Sequence, residues 1–129
     1  MRVLIHGSSS WKDLGMIETQ LSTLPASSLV MICSHPGASA LAAKAAQRLG
    51  LQVEVTEPRW TTYARRAAMV AMHQQLKEGP DQVWVFWDGT SQGAKHAIEQ
   101  ARRSKVALKV WGPSGPLPEY ELGGSPSLF

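Results

Sequence analysis

Three short stretches of small polar residues are where this chain could do chemistry: Gly7-Ser8-Ser9-Ser10-Trp11, His35-Pro36-Gly37-Ala38-Ser39 and Asp88-Gly89-Thr90-Ser91-Gln92-Gly93. Glycine lets a backbone approach a phosphate closely, and serine and threonine hydroxyls add donors that rotate to suit it. Any one such stretch is accounted for by helix caps and turns. Three of them at one edge of a sheet read as a cradle for a nucleotide or sugar phosphate. The ligand-binding residues expected there are Gly7, Ser8, Ser9, Trp11, Pro36, Gly37, Ala38, Trp87, Asp88, Gly89, Thr90, Ser91 and Gly93. Neither glycine pattern is a Walker loop or a G-x-G-x-x-G fingerprint, so ATP hydrolysis and ordinary dinucleotide binding lack their motifs.

Other side chains add to or subtract from that reading. Arg59, Arg65 and Arg66 precede or open a predicted helix, where a guanidinium fork can take a phosphate in bidentate fashion. Trp11, Trp60 and Trp87 fall beside the predicted rim, where a flat ring can stack on a base, and Trp84 reads as core. Asp88 and Glu99 are the weak candidates for acid-base catalysis. His6, His35, His73 and His96 are scattered, with no i, i+4 pair and no cysteine pair nearby, so no metal site and no cofactor are expected. Cys33 sits inside an apolar run and reads as a small hydrophobe, and Ser8 to Ser10 lack the elbow of a hydrolase nucleophile.

The elements that must position these residues alternate along the chain. Val3-Leu4-Ile5 reads as a strand, and Leu14, Ile17, Leu21 and Leu24 as one stripe of a helix. The run Leu29–Cys33 is a second strand, followed by an alanine-rich helix from about Ala38 to Leu49 that Gly50 closes. Strand three is Val53–Val55, and Met69, Met72 and Leu76 stripe a helix that Gly79-Pro80 ends. The unbroken apolar run from Val83 to Trp87 suits a central parallel strand covered on both faces. A helix from Ser91 to Arg103 and a strand from Val106 to Val110 complete the pattern. Five strands alternating with four helices predict an α/β, three-layer Rossmann-like fold with a five-stranded parallel sheet; the pattern does not give the strand order, for which 3-2-1-4-5 is expected as the commoner doubly wound order. The binding domain is expected over residues 1–111. Residues 112–129, crowded with Pro, Gly and Ser, are expected to form a tail, either mobile or packed over a partner.

Composition sets the outer bounds. At 129 residues and 43% hydrophobic, the chain can bury roughly two-thirds of its unfolded surface in one domain, which excludes general disorder. One cysteine excludes an internal disulfide, and with no signal-peptide pattern at the start it points to a cytoplasmic setting. No apolar run approaches the ~18 residues of a membrane span, so no membrane association is expected. The formal charge of +3 tolerates an anionic ligand, but the cations are spread over helix surfaces rather than gathered into a nucleic-acid track.

Taken together, the N-terminal strand-Gly-Ser-x-x-Trp, the turn His35-Pro36-Gly37-Ala38, the Arg65-x-x-x-Met69 helix and Phe86-Trp87-Asp88-Gly89-Thr90-Ser91-Gln92-Gly93 resemble the small YspA-like branch of the SLOG superfamily. That superfamily joins Rossmann-like domains of the DNA-processing protein DprA and the cytokinin-activating lonely-guy enzymes. The resemblance covers residues 1 to about 111 and implies a nucleotide or nucleotide-derived ligand, such as ADP-ribose, an NAD-derived compound or a nucleoside phosphate, over these loops. It also implies a homo-oligomer, and it places Arg65 at the family's arginine position. The lonely-guy motif Pro-Gly-Gly-x-Gly-Thr-x-x-Glu would put its threonine at Ala94 and its catalytic glutamate at Ala97, and both are alanine here. The resemblance therefore implies a binding or sensing protein first. A phosphoribohydrolase using Asp88 or Glu99 comes second, and DprA-like single-stranded DNA binding third.

Overall fold

The computed structural model describes residues 1–59 and 66–121. Its strands are β1 (Arg2–Gly7), β2 (Leu29–Cys33), β3 (Gln52–Thr56), β4 (Gln82–Phe86), β5 (Ala107–Gly112) and β6 (Gly115–Pro116). Between them lie α1 (Leu14–Leu21), α2 (Ala38–Arg48), α3 (Ala67–Lys77) and α4 (Gln92–Arg103), and a 3-10 turn follows at Pro118–Tyr120. The sheet order is β3-β2-β1-β4-β5-β6. Its first five strands are parallel, in the order expected, and β6 pairs antiparallel with β5. The sheet is thus mixed, with six strands rather than five. Two residues that include a proline carry no periodicity, and proline is at home only on an edge strand, so β6 had no sequence signal.

The strands sort their side chains by the two-residue period. Val3 and Ile5 of β1 pack with Ile17, Leu21, Ile32 and the small stripe of α2, while Leu4 packs with Met31, Met72, Val83, Val85 and Ile98 on the other face. One helix pair therefore covers each face, and the central strands are apolar throughout because neither face meets water. Trp84 is core, as expected: its ring meets Trp111 edge-on at 5.2 Å, and Trp111 stacks on Phe86 at 4.9 Å. Helix α1 stops at Leu21, short of Leu24, which packs against the core from beyond the helix. Asp13 caps its start by accepting the Met16 N–H at 3.0 Å.

Candidate functional site

The carboxyl ends of β1, β2 and β4 bring the three small-residue loops together, and packing accounts for two of their glycines. A Cβ on Gly7 would lie 2.5 Å from both the Ala38 Cβ and the Phe86 carbonyl oxygen, so β1 ends in the one residue that fits between α2 and β4. Gly37 has φ +86°, and a side chain there would run into the Ser8 and Ser9 backbone. The Ser8 carbonyl accepts the N–H groups of Trp11 (3.2 Å) and Ala38 (3.1 Å), and its buried hydroxyl accepts the Asp88 N–H at 3.0 Å. Gly7, Ser8, Ser9, Gly37 and Ala38 are thus the joint that holds the three loops in register.

The third loop satisfies itself. Asp88 Oδ1 accepts the N–H groups of Thr90 (2.8 Å) and Ser91 (2.7 Å), and Oδ2 accepts the Ser10 hydroxyl at 2.5 Å. These bonds, the Ser10 hydroxyl first and then the two backbone amides, hold the Asp88 carboxyl well below the usual carboxylate range. A carboxylate already occupies the turn formed by Gly89 (φ +91°), where a phosphate was expected. Ser91 in turn caps α4 and accepts the Ala94 N–H, at 3.4 Å. Asp88 faces a small hollow of about 220 Å³ shared with Ser10, Trp11, Lys12, Asp13 and Pro113.

On the other side of the joint lies a cavity of about 550 Å³ beneath α3 and α4. His6, Gly7 and Cys33 from the strand ends, Ser39 from α2, Met69 and Met72 from α3, and Gly93, Ala97 and Gln100 from α4 line it, with His35, Arg66, Gln92 and His96 also contributing. Gln92, Gly93 and Ala94 open α4, where backbone N–H groups have no intrahelical acceptor. The space above Gly93 is open, since a Cβ there would meet nothing within 4 Å. Ser39 stands in the first turn of α2, so two helix N-termini give onto one cavity. Burial lowers the His6 pKa from 6.5 to about 4, with His35 adding to the lowering and a bond to Gln75 opposing it. Burial, helped by the Glu57 charge, pushes the Cys33 thiol up to about 11, so it stays protonated and inert.

The remaining expected residues are distributed unevenly. Trp11 is 5% exposed, its ring tilted against Phe86 at 5.6 Å and its Nε1–H donated to the Asp13 carbonyl. Trp87 donates Nε1–H to the Ser91 carbonyl at 3.0 Å and meets the Tyr120 ring edge-on, so it braces the third loop. Pro36 is exposed beside a shallower hollow of about 480 Å³ that it shares with Val55 and Cys33. Glu99 pairs with His96 at 3.6 Å on the outer face of α4 and does not line the cavity. Arg65 and Trp60 lie outside the described residues; Arg66, one residue on, borders the cavity. Among the described residues no group of three or more His, Cys, Asp or Glu is placed to hold a metal ion, and no helix is long and apolar enough to cross a membrane.

The lining that sequence reasoning missed is chiefly His6, His96 and Gln100, while Arg66, Ser39 and Gln92 stand in segments it singled out without being its preferred ligands. Two periodicities held the signal. His6 follows Leu4 by two on β1 and so shares its face, and Gly93, Ala97 and Gln100 stand at i, i+4 and i+7 of one helix stripe.

No curated protein matches the chain. A model of the YspA, cpYpsA-related SLOG family matches residues 1–63, the stretch that carries β1, β2, β3 and the first two loops. Residues 1–63 are thus similar to the YspA, cpYpsA-related SLOG family, and the Rossmann-like topology around them is consistent with that match.

Proposed function

We propose that this protein binds or senses a nucleotide-derived ligand in the cavity beneath α3 and α4. The observation that carries the reading is the meeting, at one apolar cavity, of the first turns of α2 and α4 with the Arg66 side chain. Oriented N–H groups and a guanidinium suit a phosphate at the mouth, and Met69, Met72 and Ala97 suit a flat ring inside. The cavity adjoins the carboxyl edge of β1, beside the point where the strand order reverses, which is where ligands bind in open α/β sheets. Relative to the three-loop cradle, this reading moves the phosphate from the Asp88 turn to the Gln92 and Gly93 amides.

Calorimetry with ADP-ribose, NAD-derived cyclic nucleotides and nucleoside monophosphates tests it. Binding of at least one, weakened about tenfold or more by Arg66→Ala, is the expected result. Absence of binding by every one of them to folded protein overturns it. The phosphoribohydrolase reading has less support, because Asp88 stays ionised and faces the small hollow, and Glu99 stands outside the cavity.

A further inference from the structure

Within that site, and resting on the nucleotide reading, the direction of one hydrogen-bond chain bears on which base enters. Gln75 is completely buried on α3. Its Nε2 donates to the Ile32 carbonyl at 3.0 Å, which turns Oε1 toward His6 Nε2, 3.1 Å away. A carboxamide oxygen can only accept, so His6 Nε2 carries the imidazole proton and Nδ1 carries a lone pair. Burial keeps this ring neutral at physiological pH, so the assignment does not change with proton uptake there. His6 lines the cavity, as does Gln100, whose Nε2 donates to the Met69 carbonyl at 3.4 Å. The Gln100 Oε1 is buried with no hydrogen-bond partner among the described residues.

His6 thus brings to the cavity edge a ring whose Nδ1 can accept, beside the Met69, Met72, Ala97 and Cys33 side chains. A buried acceptor with nothing to accept from costs free energy, and a ligand donor that reaches it recovers that cost. We infer that His6 is a specificity-determining residue that accepts a hydrogen bond from an amino-substituted base. An adenine or cytosine ring presents such an exocyclic N–H. Their deaminated counterparts place a carbonyl oxygen there, and acceptor would then face acceptor. Sites built around a donor-acceptor pair reject the mismatched analogue strongly.

The test compares AMP with IMP and CMP with UMP by calorimetry, on the native protein and on His6→Phe, which keeps the ring and removes the acceptor. The inference expects each amino nucleotide to bind at least about tenfold tighter than its oxo partner, and the preference to collapse in His6→Phe. Nucleotides that bind without an amino-over-oxo preference, or a preference that survives His6→Phe, overturn the role of His6 and leave the nucleotide reading standing. No binding by any of the four overturns both. Should His6→Phe not fold, nitrogen NMR of the native protein decides. An unprotonated Nδ1 whose resonance moves with AMP but not with IMP supports the assignment, and a protonated or unresponsive Nδ1 removes it.

Discussion

The two sides of the β1–α2 joint share the same loops and differ in what their polar atoms have left to do. On the Asp88 side the Thr90 and Ser91 amides and the Ser10 hydroxyl are already taken, by a carboxylate the chain supplies itself. On the cavity side the Gln92 and Gly93 amides of α4, the Arg66 side chain and the His6 ring border open volume. Both sides are rich in Gly, Ser and Thr. A small-polar loop therefore reports that backbone donors are gathered, and only the side chain that ends up facing them decides whether they are available.

Four perturbations sharpen or break this contrast. Gly37→Ala forces a side chain into a positive-φ position against the Ser8 backbone, and should cost about 3 kcal/mol or more by denaturant unfolding. Both sides of the joint would then loosen together, and selective damage to one would mean that the joint does not couple them. Acid comes next. His6 has its pKa lowered from 6.5 to about 4 by folding, so the unfolded chain takes up the proton first as pH falls. The stability this gives is complete above pH 6.5 and is lost as pH falls from there to about 4, at an order of about 3 kcal/mol. In His6→Phe that part of the acid slope should disappear, and an unchanged slope would show that His6 is not neutral in the folded protein.

Gln75→Leu leaves the His6 Nε2–H and the Ile32 carbonyl unpaired, for about 1–3 kcal/mol in thermal unfolding, with the amino-base preference lost as well. A binding profile like that of the native protein would sever Gln75 from the specificity of the cavity. Smallest is Ser10→Ala. It raises the Asp88 pKa toward its ordinary 3.8, measurable by carboxyl NMR titration, with under about 1 kcal/mol in stability and no change in ligand affinity. A lost affinity there would show that the Asp88 side is the ligand side after all.

The layers and the convergence of the three loops were legible because they follow from short-range patterns: apolar runs, a 3.6-residue stripe, Gly at a helix end; the order of the five parallel strands does not follow from them and rested on the commoner doubly wound arrangement. Asp88-Gly-Thr-Ser also held a readable signal, since an aspartate two and three residues ahead of amide donors is a self-closing turn. The cavity was not legible. His6 and Gln75 are 69 residues apart, Gln75 and Ile32 are 43, and which nitrogen of His6 keeps its proton depends on all three. Pattern along the chain reports which face a side chain takes, and says nothing of the partner met across it.

Strand β6 has a further consequence. Its Gly115–Pro116 pair lies along β5, with Pro116 opposite Trp111, and the Leu117 N–H then donates to the Val110 carbonyl. Proline offers no amide to a newcomer, so this flank of the sheet is a poor template for another strand. At the opposite flank β3 runs for five residues with Val55 half exposed. Among the described residues, a contact of β3 with β3 of a second copy would close after two and could not propagate into a fibre.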